Sequence, residues 1–417
     1  MKRVVVTGIG ALTPIGNNVS AYLEGLKNGI SGANLISRFD TTEFKTKFAC
    51  EVKDFNPETV LDRKEVRKLD LFTVFGMVAA DEAIINAGIQ EIGGGLNPDR
   101  IGVIWAAGVG GLGSLEKEIE DFTRGSGVPR YNPFMIPKMI IDITAGHISI
   151  KYGFRGINYA TVSACASSSH ALMSSFDSIR LGRNDIIVTG GSEAVVLRTG
   201  VGGFNAMKAL STRNDDYTTA SRPFDRDRDG FVLGEGGAAL VLEELEHARK
   251  RGATIYAEVV GGGATADAHH ITAPHPEGLG AKNVMKMALE DAQMRPEEID
   301  YINVHGTSTP LGDIAESKAI LDVFGAHAYN LNISSTKSMT GHLLGAAGAI
   351  ESVAGILAIN HGFIPPTINH FVDDPDLDPK LNFTFNEAQE RPIKAFLSNT
   401  FGFGGHNSSI IMKKFEG

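Results

Sequence analysis

The chain has 417 residues, of which 42% are hydrophobic and 21% are charged, a balance typical of a globular protein with a large buried core. Its formal net charge of -10 disfavours nucleic acid as a partner. The two cysteines, Cys50 and Cys165, are too few for a disulfide framework and lie in no CxxC pair, which favours a reducing, cytoplasmic location.

The first segment, MKRVVVTGIGALTPIG, has two basic residues before an apolar run, as a secretory leader would. Gly8, Gly10 and Pro14 interrupt that run, so we interpret it as a strand followed by a turn. Eighteen apolar residues never follow one another without a break, so we expect no membrane span and no membrane partner.

Strand-like runs alternate with helix-like runs along the chain, which predicts an α/β protein. The strand-like runs are RVVVTG, RIGVIWAAG, DIIVTGGSEA, GGAALVLEEL, IYAEVVGGG, IDYINVHG, LNISSTK and AFLSNTFGFGG. Clear helix-like runs are LFTVFGMVAADEAIINAG and GLGAKNVMKMALEDAQM. Strands running into glycines near residues 3 and 256 could each begin one half of a duplicated unit. A charged helix ending in glycine lies between them, so we place a boundary near residue 252, giving halves 1–252 and 253–417.

The segment GVGGLG, residues 108–113, formally matches the GxGxxG pattern of dinucleotide-binding proteins. A Rossmann unit would place a ribose-binding carboxylate at the end of the next strand, whereas the charged helix SLEKEIEDF follows here. We therefore interpret these glycines as a tight turn. A dehydrogenase remains the rival hypothesis, and nicotinamide binding would test it.

The stretch NYATVSACASSSHALMSSF places Cys165 between a strand-like run and a helix-like run. A strand ending near Ser163, followed by a helix of small residues, would hold the sulfur at a sharp turn, near free backbone N–H groups and the positive end of a helix dipole. Those surroundings would stabilise a thiolate. The alternative is a buried structural thiol, which is how we interpret Cys50 in KFACEVKDF.

Two histidines each end a strand-like run and precede turn-forming residues. His305 lies in YINVHGTSTPLGDIAE and His342 in SSTKSMTGHLLGAAGAIE. The sequence contains no HExxH motif and no local Cys/His cluster, so we predict no metal site. A cysteine combined with two histidines indicates covalent acyl catalysis.

Four motifs, SACASSSHA, VHGTSTPLGD, STKSMTGHLLGAAGAIE and SNTFGFGGHNSSI, occur in the order and at the spacing of the β-ketoacyl-acyl carrier protein synthases. The chain resembles the elongating enzymes of this family from Arg3 to Lys413. The resemblance implies the thiolase fold, with two similar halves in a five-layer αβαβα arrangement, and a homodimer. It implies decarboxylative condensation of malonyl-acyl carrier protein with a Cys-bound fatty acyl chain, giving the 3-oxoacyl product in fatty-acid elongation. Acyl carrier protein would be the partner and would bring the substrates on its phosphopantetheine arm, with no other cofactor.

The resemblance also implies catalytic roles for five residues. Cys165 would be the nucleophile that accepts the acyl group. His305 and His342 would promote decarboxylation and stabilise the enolate through N–H donors. Lys337 and Glu351 would organise the site electrostatically, and a purely structural ion pair is the alternative.

Substrate-binding roles follow from the same resemblance. Thr307 and Thr309 would bind the phosphopantetheine arm, and Phe403 would gate the acyl pocket. The backbone N–H groups of Phe403 and of the nucleophile would form the oxyanion hole. Val109 would control entry to the acyl tunnel, and Phe134 would reach the tunnel of the partner subunit.

Carrier proteins are small and acidic, so an enzyme of net charge -10 needs a local basic patch to dock one. The segment DRKEVRKLD predicts a helical face that carries Lys64 with Arg67 or Lys68. Lys208 in FNAMKALSTRND is a further candidate. An ordinary solvated helix is the alternative interpretation.

The sequence departs from the family pattern in two places. His406 stands where threonine is frequent, which leaves open whether a third imidazole tunes the site. Serines follow Cys165 where glycine or threonine is frequent, so the preferred acyl length stays open. A polyketide or specialised-lipid synthase with the same mechanism is one alternative. A decarboxylase or chain-length factor that only binds acyl carriers is another, although the presence of Cys165 argues against a chain-length factor.

Overall fold

The computed structural model describes residues 1–417, and it alternates strands with helices. Its strands are β1 Val4–Leu12, β2 Asn34–Leu35, β3 Phe48–Ala49, β4 Ile101–Ala106, β5 Asn158–Thr161, β6 Ile186–Glu193, β7 Gly236–Glu244, β8 Ala257–Ala266, β9 Tyr301–Asn303, β10 Asn332–Ser334, β11 Phe363–Ile364, β12 Gln389–Glu390, β13 Ala395–Gly402 and β14 His406–Lys413. Its helices are α1 Val19–Lys27, α2 Arg63–Val66, α3 Leu71–Ala87, α4 Leu112–Arg124, α5 Met135–Met139, α6 Ile143–Tyr152, α7 Ser167–Arg180, α8 Arg198–Ala206, α9 Leu245–Lys250, α10 Leu279–Ala292, α11 Pro310–Phe324, α12 Lys337–Thr340 and α13 Ala347–His361.

Ten strands form one mixed sheet in the order β10-β9-β13-β14-β8-β1-β7-β6-β4-β5. The five strands at one end all precede α9 in the chain, and the five at the other end all follow it. The two groups meet where β1 pairs antiparallel with β8, from Val4 opposite Val259 to Val6 opposite Ala257. The boundary predicted near residue 252 lies in the connection between these two groups of strands.

Helices cover both groups of strands and fill the space between them. On one outer side, α3 contacts β1, β6 and β7, and α6 contacts β4. On the other, α10 contacts β8 and β14 and packs against α11. In the middle, α7 and α13 contact each other and strands of both groups, and their apolar side chains lie in the largest core cluster. The layers therefore run α, β, α, β, α, as predicted.

The glycines that interrupt the first apolar run allow close contact between a strand and a helix. A Cβ atom on Gly8 would lie 2.2 Å from the carbonyl oxygen of Ala83 in α3, and one on Gly10 would lie 2.0 Å from that of Ala79. Both separations are too short for a side chain, so glycine is required for α3 to lie against β1. The first segment is a strand, as predicted.

Each of the eight strand-like runs contains a strand of the large sheet, and the two clear helix-like runs contain α3 and α10. Strand β14 was not predicted; it pairs antiparallel with β13 across the FGFGG turn. The turn signal is present there, because Gly404 and Gly405 adopt φ angles of 90° and 75°. One segment, Leu344–His361, is long and apolar enough for a membrane span, but 89% of it is buried inside the fold.

Candidate active site

Cys165 lies at a sharp turn between a strand and a helix, as predicted. Strand β5 ends at Thr161, and a short 3-10 turn over Ala164–Ala166 leads directly into α7. Ala164 has a φ of 51°, a left-handed conformation that a residue with a side chain seldom adopts. The Ser167 hydroxyl stabilises this turn, since it accepts from the Ser163 N–H at 2.8 Å and donates to the Ala164 carbonyl at 2.7 Å.

The fold brings Cys165 together with both predicted histidines. The Sγ atom of Cys165 lies 3.0 Å from Nε2 of His342. The imidazole rings of His305 and His342 are nearly perpendicular, with centroids 5.4 Å apart. His342 follows the β10–α12 segment of the second half of the chain, and Cys165 belongs to the first half. The reactive group is therefore assembled across the two halves.

A cavity of about 560 Å³ opens onto these three side chains and is lined by residues of both halves. Predicted residues that line it are Cys165, His305, His342, Thr307, Thr309, Val109, Phe403 and Lys208. The hydroxyl oxygens of Thr307 and Thr309 lie 3.1 Å apart, so they offer paired polar contacts within one wall. A polar wall in a mostly apolar cavity suits a substrate with an amide-containing arm and an apolar chain.

Burial opposes the predicted stabilisation of a Cys165 thiolate. Burial raises the pKa of Cys165 to about 12, although the charge of Lys337 and a hydrogen bond from the Phe403 backbone N–H both act to lower it. Desolvation outweighs these contributions because the sulfur lies where water does not solvate a charge. The group is therefore a neutral thiol beside His342. The N-terminus of α7 and the charge of Lys337 only partly offset the rise in pKa that burial causes.

Both active-site histidines are neutral at physiological pH. Burial holds the pKa of His305 and of His342 well below the usual range, and the positive charge of Lys337 lowers both further. A neutral imidazole has one N–H donor and one acceptor nitrogen. Each ring can therefore donate to a developing oxyanion, and the nitrogen of His342 facing Cys165 can accept a proton.

Lys337 and Glu351 form a buried ion pair, as the resemblance implies. Burial raises the pKa of Glu351 to about 7, against the opposing effect of the Lys337 charge. Neither side chain lines the cavity. The pair therefore acts on the site through its field, and it holds α12, which leads to His342, against α13.

Phe403 lies at the tip of the β13–β14 hairpin, and its backbone N–H points at Cys165. The hairpin approaches the nucleophile closely, because a Cβ atom on Gly402 would lie 2.7 Å from the Ser163 carbonyl oxygen and 3.1 Å from the Cys165 nitrogen. Glycine at 402 therefore lets the Phe403 amide reach the sulfur. The structure thus places Phe403, the predicted gate, at the cavity, and the oxyanion hole stays a prediction.

The predicted docking residues lie outside the cavity except for Lys208. The helix α2 spans only Arg63–Val66, so Arg67 is its C-cap and Lys68 lies beyond it. The predicted helical face is thus shorter than expected, because Asp62 caps the first turn and the chain turns after Arg67 towards α3. Lys64, Arg67, Lys68 and Lys208 are all exposed and form no ion pair.

Phe134 does not line the cavity of its own chain. Its side chain is exposed and lies beneath the ammonium group of Lys68, 5.7 Å from the ring centroid.

His406 is exposed as well, whereas His170 is held inside by a 2.6 Å contact between its Nδ1 and the Ser163 hydroxyl. A third imidazole therefore lies behind the nucleophile turn, and it belongs to His170.

The glycines of GVGGLG bind a carboxylate of the protein itself. The backbone N–H groups of Gly108, Val109 and Gly110 donate to the side chain of Glu193 at 2.7, 3.2 and 3.1 Å. These amides are thus occupied, which removes the phosphate-binding role that a dinucleotide site would need. Glu193 was not predicted, although a carboxylate at the end of the strand-like run DIIVTGGSEA was a visible signal.

A second missed carboxylate supports His305. Glu316 accepts hydrogen bonds from the backbone N–H groups of His305 and Gly306 at 2.9 and 2.8 Å, and from the Asn399 side chain at 3.1 Å.

The sequence contains no Cys/His cluster, but the fold creates one, since donor atoms of Cys165, His305 and His342 all lie within 4.8 Å of one another. The absence of a metal site stays a prediction.

Family profiles cover nearly the whole chain. The N-terminal domain of the beta-ketoacyl synthases matches residues 1–248, and the C-terminal domain of the same family matches residues 256–371. Together with the cysteine and histidine pair in a five-layer fold, these matches define a condensing enzyme. The chain belongs to the beta-ketoacyl synthase family.

Close relatives carry one name. The chain is 47% identical over 413 residues to a 3-oxoacyl-[acyl-carrier-protein] synthase 2 of Coxiella burnetii, with 99% of each chain covered. It is 46% identical over 415 residues to the protein of that name from Synechocystis, covering 100% of this chain and 99% of the relative. The predicted acyltransferase of fatty-acid elongation is confirmed.

Solved structures agree with this placement. A beta-ketoacyl synthase from Burkholderia phymatum superposes with a TM-score of 0.91 at 35% identity over 100% of both chains. A type II polyketide ketosynthase in complex with its acyl-carrier protein has a TM-score of 0.88 at 34% identity, again over 100% of both chains. The predicted thiolase-like fold is confirmed, and the polyketide enzymes are the more distant relatives.

Proposed function

We propose that Cys165 carries the growing fatty acyl chain as a thioester and that His305 and His342 assist the attack of a decarboxylated malonyl unit on it. The observation that carries this proposal is the 3.0 Å contact between Cys165 Sγ and His342 Nε2. That contact lies at the wall of a cavity large enough for a substrate arm and an acyl chain. It gives the thiol a proton acceptor at the place where the acyl group arrives.

Acyl transfer begins from the neutral thiol. As Sγ attacks the acyl carbonyl carbon, its proton passes to Nε2 of His342. The bond to the carrier's sulfur then breaks as that sulfur takes the same proton from His342. The backbone N–H groups of Cys165 and Phe403 stabilise the oxyanion that forms between these events. Because burial keeps the thiol protonated until substrate is present, the nucleophile is protected from adventitious reaction.

Condensation follows in the same cavity. The malonyl carbon–carboxylate bond breaks, carbon dioxide leaves, and the electron pair passes into an enolate whose oxygen accepts N–H hydrogen bonds from His305 and His342. Neutral imidazoles can supply these donors, and His342 must then carry its proton on Nε2, the tautomer opposite to the one that accepts the thiol proton. The enolate carbon then bonds to the acyl carbon, the bond to Cys165 breaks, and the sulfur leaves as a thiolate that takes up one proton from solvent water. The product is a 3-oxoacyl chain two carbons longer.

The substrates would arrive on acyl carrier protein, with no cofactor beyond its phosphopantetheine arm. The paired hydroxyls of Thr307 and Thr309 suit the amides of that arm. Exposed, unpaired cations at Lys64, Arg67 and Lys68 suit an acidic protein surface, and Lys208 lies at the cavity mouth. Charge on the enzyme surface would thus orient the carrier while the cavity receives its arm.

We also propose a homodimer that works in the cytoplasm. The two edges of the sheet differ, since β10 is buried throughout whereas β5 has an open edge with Tyr159 40% exposed and the adjoining Val162 57% exposed. An open, apolar edge strand is a template for pairing with a second copy. In a dimer the exposed Phe134 would reach the partner's cavity, as the resemblance implies. The cytoplasm would keep the unpaired Cys165 reduced.

The decisive experiment follows the acyl group by intact mass and peptide mapping. The protein is mixed with a medium-chain acyl-carrier protein, with Cys165→Ala as the control. An acyl adduct on Cys165 that disappears as 3-oxoacyl product when malonyl-carrier protein is added supports the proposal. If no adduct forms while malonyl-carrier protein still loses carbon dioxide, the proposed role of Cys165 is wrong.

A further inference from the structure

Glu193 is a buried carboxylate that the reaction scheme does not use. It ends β6 and is 0% exposed, and no arginine, lysine or histidine forms an ion pair with it. Buried carboxylates are normally paired with a cation or a metal because desolvating an isolated charge is costly. Glu193 instead receives only backbone N–H groups, so its role depends on the segments to which those groups belong.

Those N–H groups come from two separate segments of the active site. Three belong to the loop after β4, at Gly108, Val109 and Gly110. The fourth belongs to Gly345, which donates at 3.0 Å and follows His342 by three residues. One carboxylate therefore joins the loop that carries the Val109 side chain to the turn that carries His342.

The segments pack closely around Glu193. A Cβ atom on Gly345 would lie 2.1 Å from the nitrogen of Gly108 and 2.8 Å from a Glu193 oxygen. A Cβ atom on Gly108 would lie 2.9 Å from Glu193 and 3.4 Å from the carbonyl oxygen of Ala164, next to the nucleophile. The acyl-pocket loop, the His342 turn and the nucleophile turn thus meet at one point, with the carboxylate between them.

We propose that Glu193 is a positioning residue that couples the acyl-pocket loop 108–110 to the His342 turn, so that it governs the selectivity of the enzyme for acyl chain length. Val109 lines the cavity beside Cys165, and its backbone is held on both sides by the carboxylate. A long acyl chain must pass this loop, whereas a short one need only reach the sulfur. Loss of the anchor therefore affects long chains more than short ones.

The test compares E193Q with the parent enzyme on a short and a long acyl-carrier protein. The glutamine amide keeps the shape of the side chain but replaces one accepting oxygen with an NH2 donor. That donor would face backbone N–H groups, so hydrogen bonds on that side are lost. We expect kcat/KM for the long chain, divided by kcat/KM for the short chain, to fall by about tenfold in E193Q. Small displacements of positioning groups have effects of at least this size. Alkylation of Cys165 by iodoacetamide should stay within about threefold of the parent rate, since that reagent does not need the tunnel.

A matched control and a double-variant cycle separate positioning from stability. Glu82 also accepts two backbone N–H groups, from Ala11 and Val19, but lies away from the cavity, so E82Q should leave the chain-length ratio unchanged. If Glu193 acts through the loop, the effects of E193Q and Val109→Ala on the ratio should be non-additive. Equal losses for both chain lengths, or additive effects in the cycle, would overturn the proposal.

Hydrogen exchange of the parent enzyme tests the same coupling without any variant. Acylation of Cys165 with a long chain should change amide exchange in peptides covering residues 108–110 and 345 together, because both share one acceptor. A change confined to one of the two segments would contradict the coupling. Because this experiment uses only the parent enzyme, it remains decisive even if E193Q does not fold.

Discussion

His342 Nε2 lies 3.0 Å from Cys165 Sγ, although the two residues are 177 positions apart in the chain. The contact joins a thiol whose pKa burial raises to about 12 to an imidazole whose pKa burial holds well below its usual range. In this pair the proton rests on sulfur and moves only when an electrophile arrives. The geometry therefore suits the proposed role of Cys165 as a nucleophile with its own proton acceptor.

Replacing His342 by alanine should slow acylation of Cys165 by about 10²–10⁴-fold, because the thiol loses its proton acceptor. His305→Ala is the matched comparison, since His305 lies in the same cavity and its proposed role is in decarboxylation. It should acylate within about threefold of the parent rate while losing carbon dioxide release from malonyl-carrier protein. Single-turnover intact mass and carbon dioxide release measure the two steps. Equal losses of acylation in the two variants would contradict this division of roles.

Alkylation of Cys165 by iodoacetamide should rise with pH across the neutral and mildly alkaline range without reaching a plateau. The thiolate is the reactive form, and a pKa raised to about 12 leaves the group protonated below that pH. The rate should increase by about tenfold per pH unit where thiolate alone reacts. Lys337→Met should lower the rate at every pH, since the Lys337 charge acts to lower the pKa of the thiol. A plateau near neutral pH would show that the thiolate is stabilised after all.

Removing one member of the buried Lys337–Glu351 pair should destabilise the fold. Lys337→Met leaves the Glu351 carboxylate buried without its cation, which lowers the free energy of unfolding by about 3–5 kcal/mol. The double variant K337M/E351L should recover most of that loss, because it removes the uncompensated charge. Urea denaturation measures both. If the single and double variants are equally unstable, the loss comes from packing and not from the isolated charge.

Tyr159→Asp should convert the proposed dimer into a monomer. A carboxylate on the open edge of β5 would be buried against a second copy without a cation, which opposes pairing. Ile85→Asp is the control, because Ile85 is also an exposed apolar residue but lies on the outer helix α3. Light scattering coupled to gel filtration gives the mass. A dimer that persists in Tyr159→Asp would place the interface elsewhere.

Reversing Lys64 and Arg67 to glutamate should raise the KM for carrier protein by about tenfold at low ionic strength, because two attractive contacts become repulsive. Cys165 alkylation should not change. The same charge change at Lys250 and Lys286, which are exposed on α9 and α10, controls for net charge alone. An unaltered KM at low salt would exclude this patch as the docking surface.

Much of the fold was predictable because local pattern and packing agree in this chain. Glycines that break the first apolar run are also the positions at which α3 touches β1. Strand β14 was not predicted because its residues lie in a segment that was interpreted only as a sequence motif. Its pairing with β13 is set by the hairpin turn between the two strands. The docking helix was predicted too long, since periodicity does not show where Asp62 starts a helix of only one turn.

The sequence by itself determined which residues are candidates for the reacting groups, because Cys165, His305 and His342 each lie in a distinctive motif of small and turn-forming residues. Only the tertiary structure decided their charge states, since desolvation depends on what packs around a group and not on its neighbours in the chain. It also decided the use of the GVGGLG amides, which bind Glu193 from a strand more than eighty residues away. Contacts between residues distant in sequence leave no local periodicity, so they become visible only when the two halves are folded together.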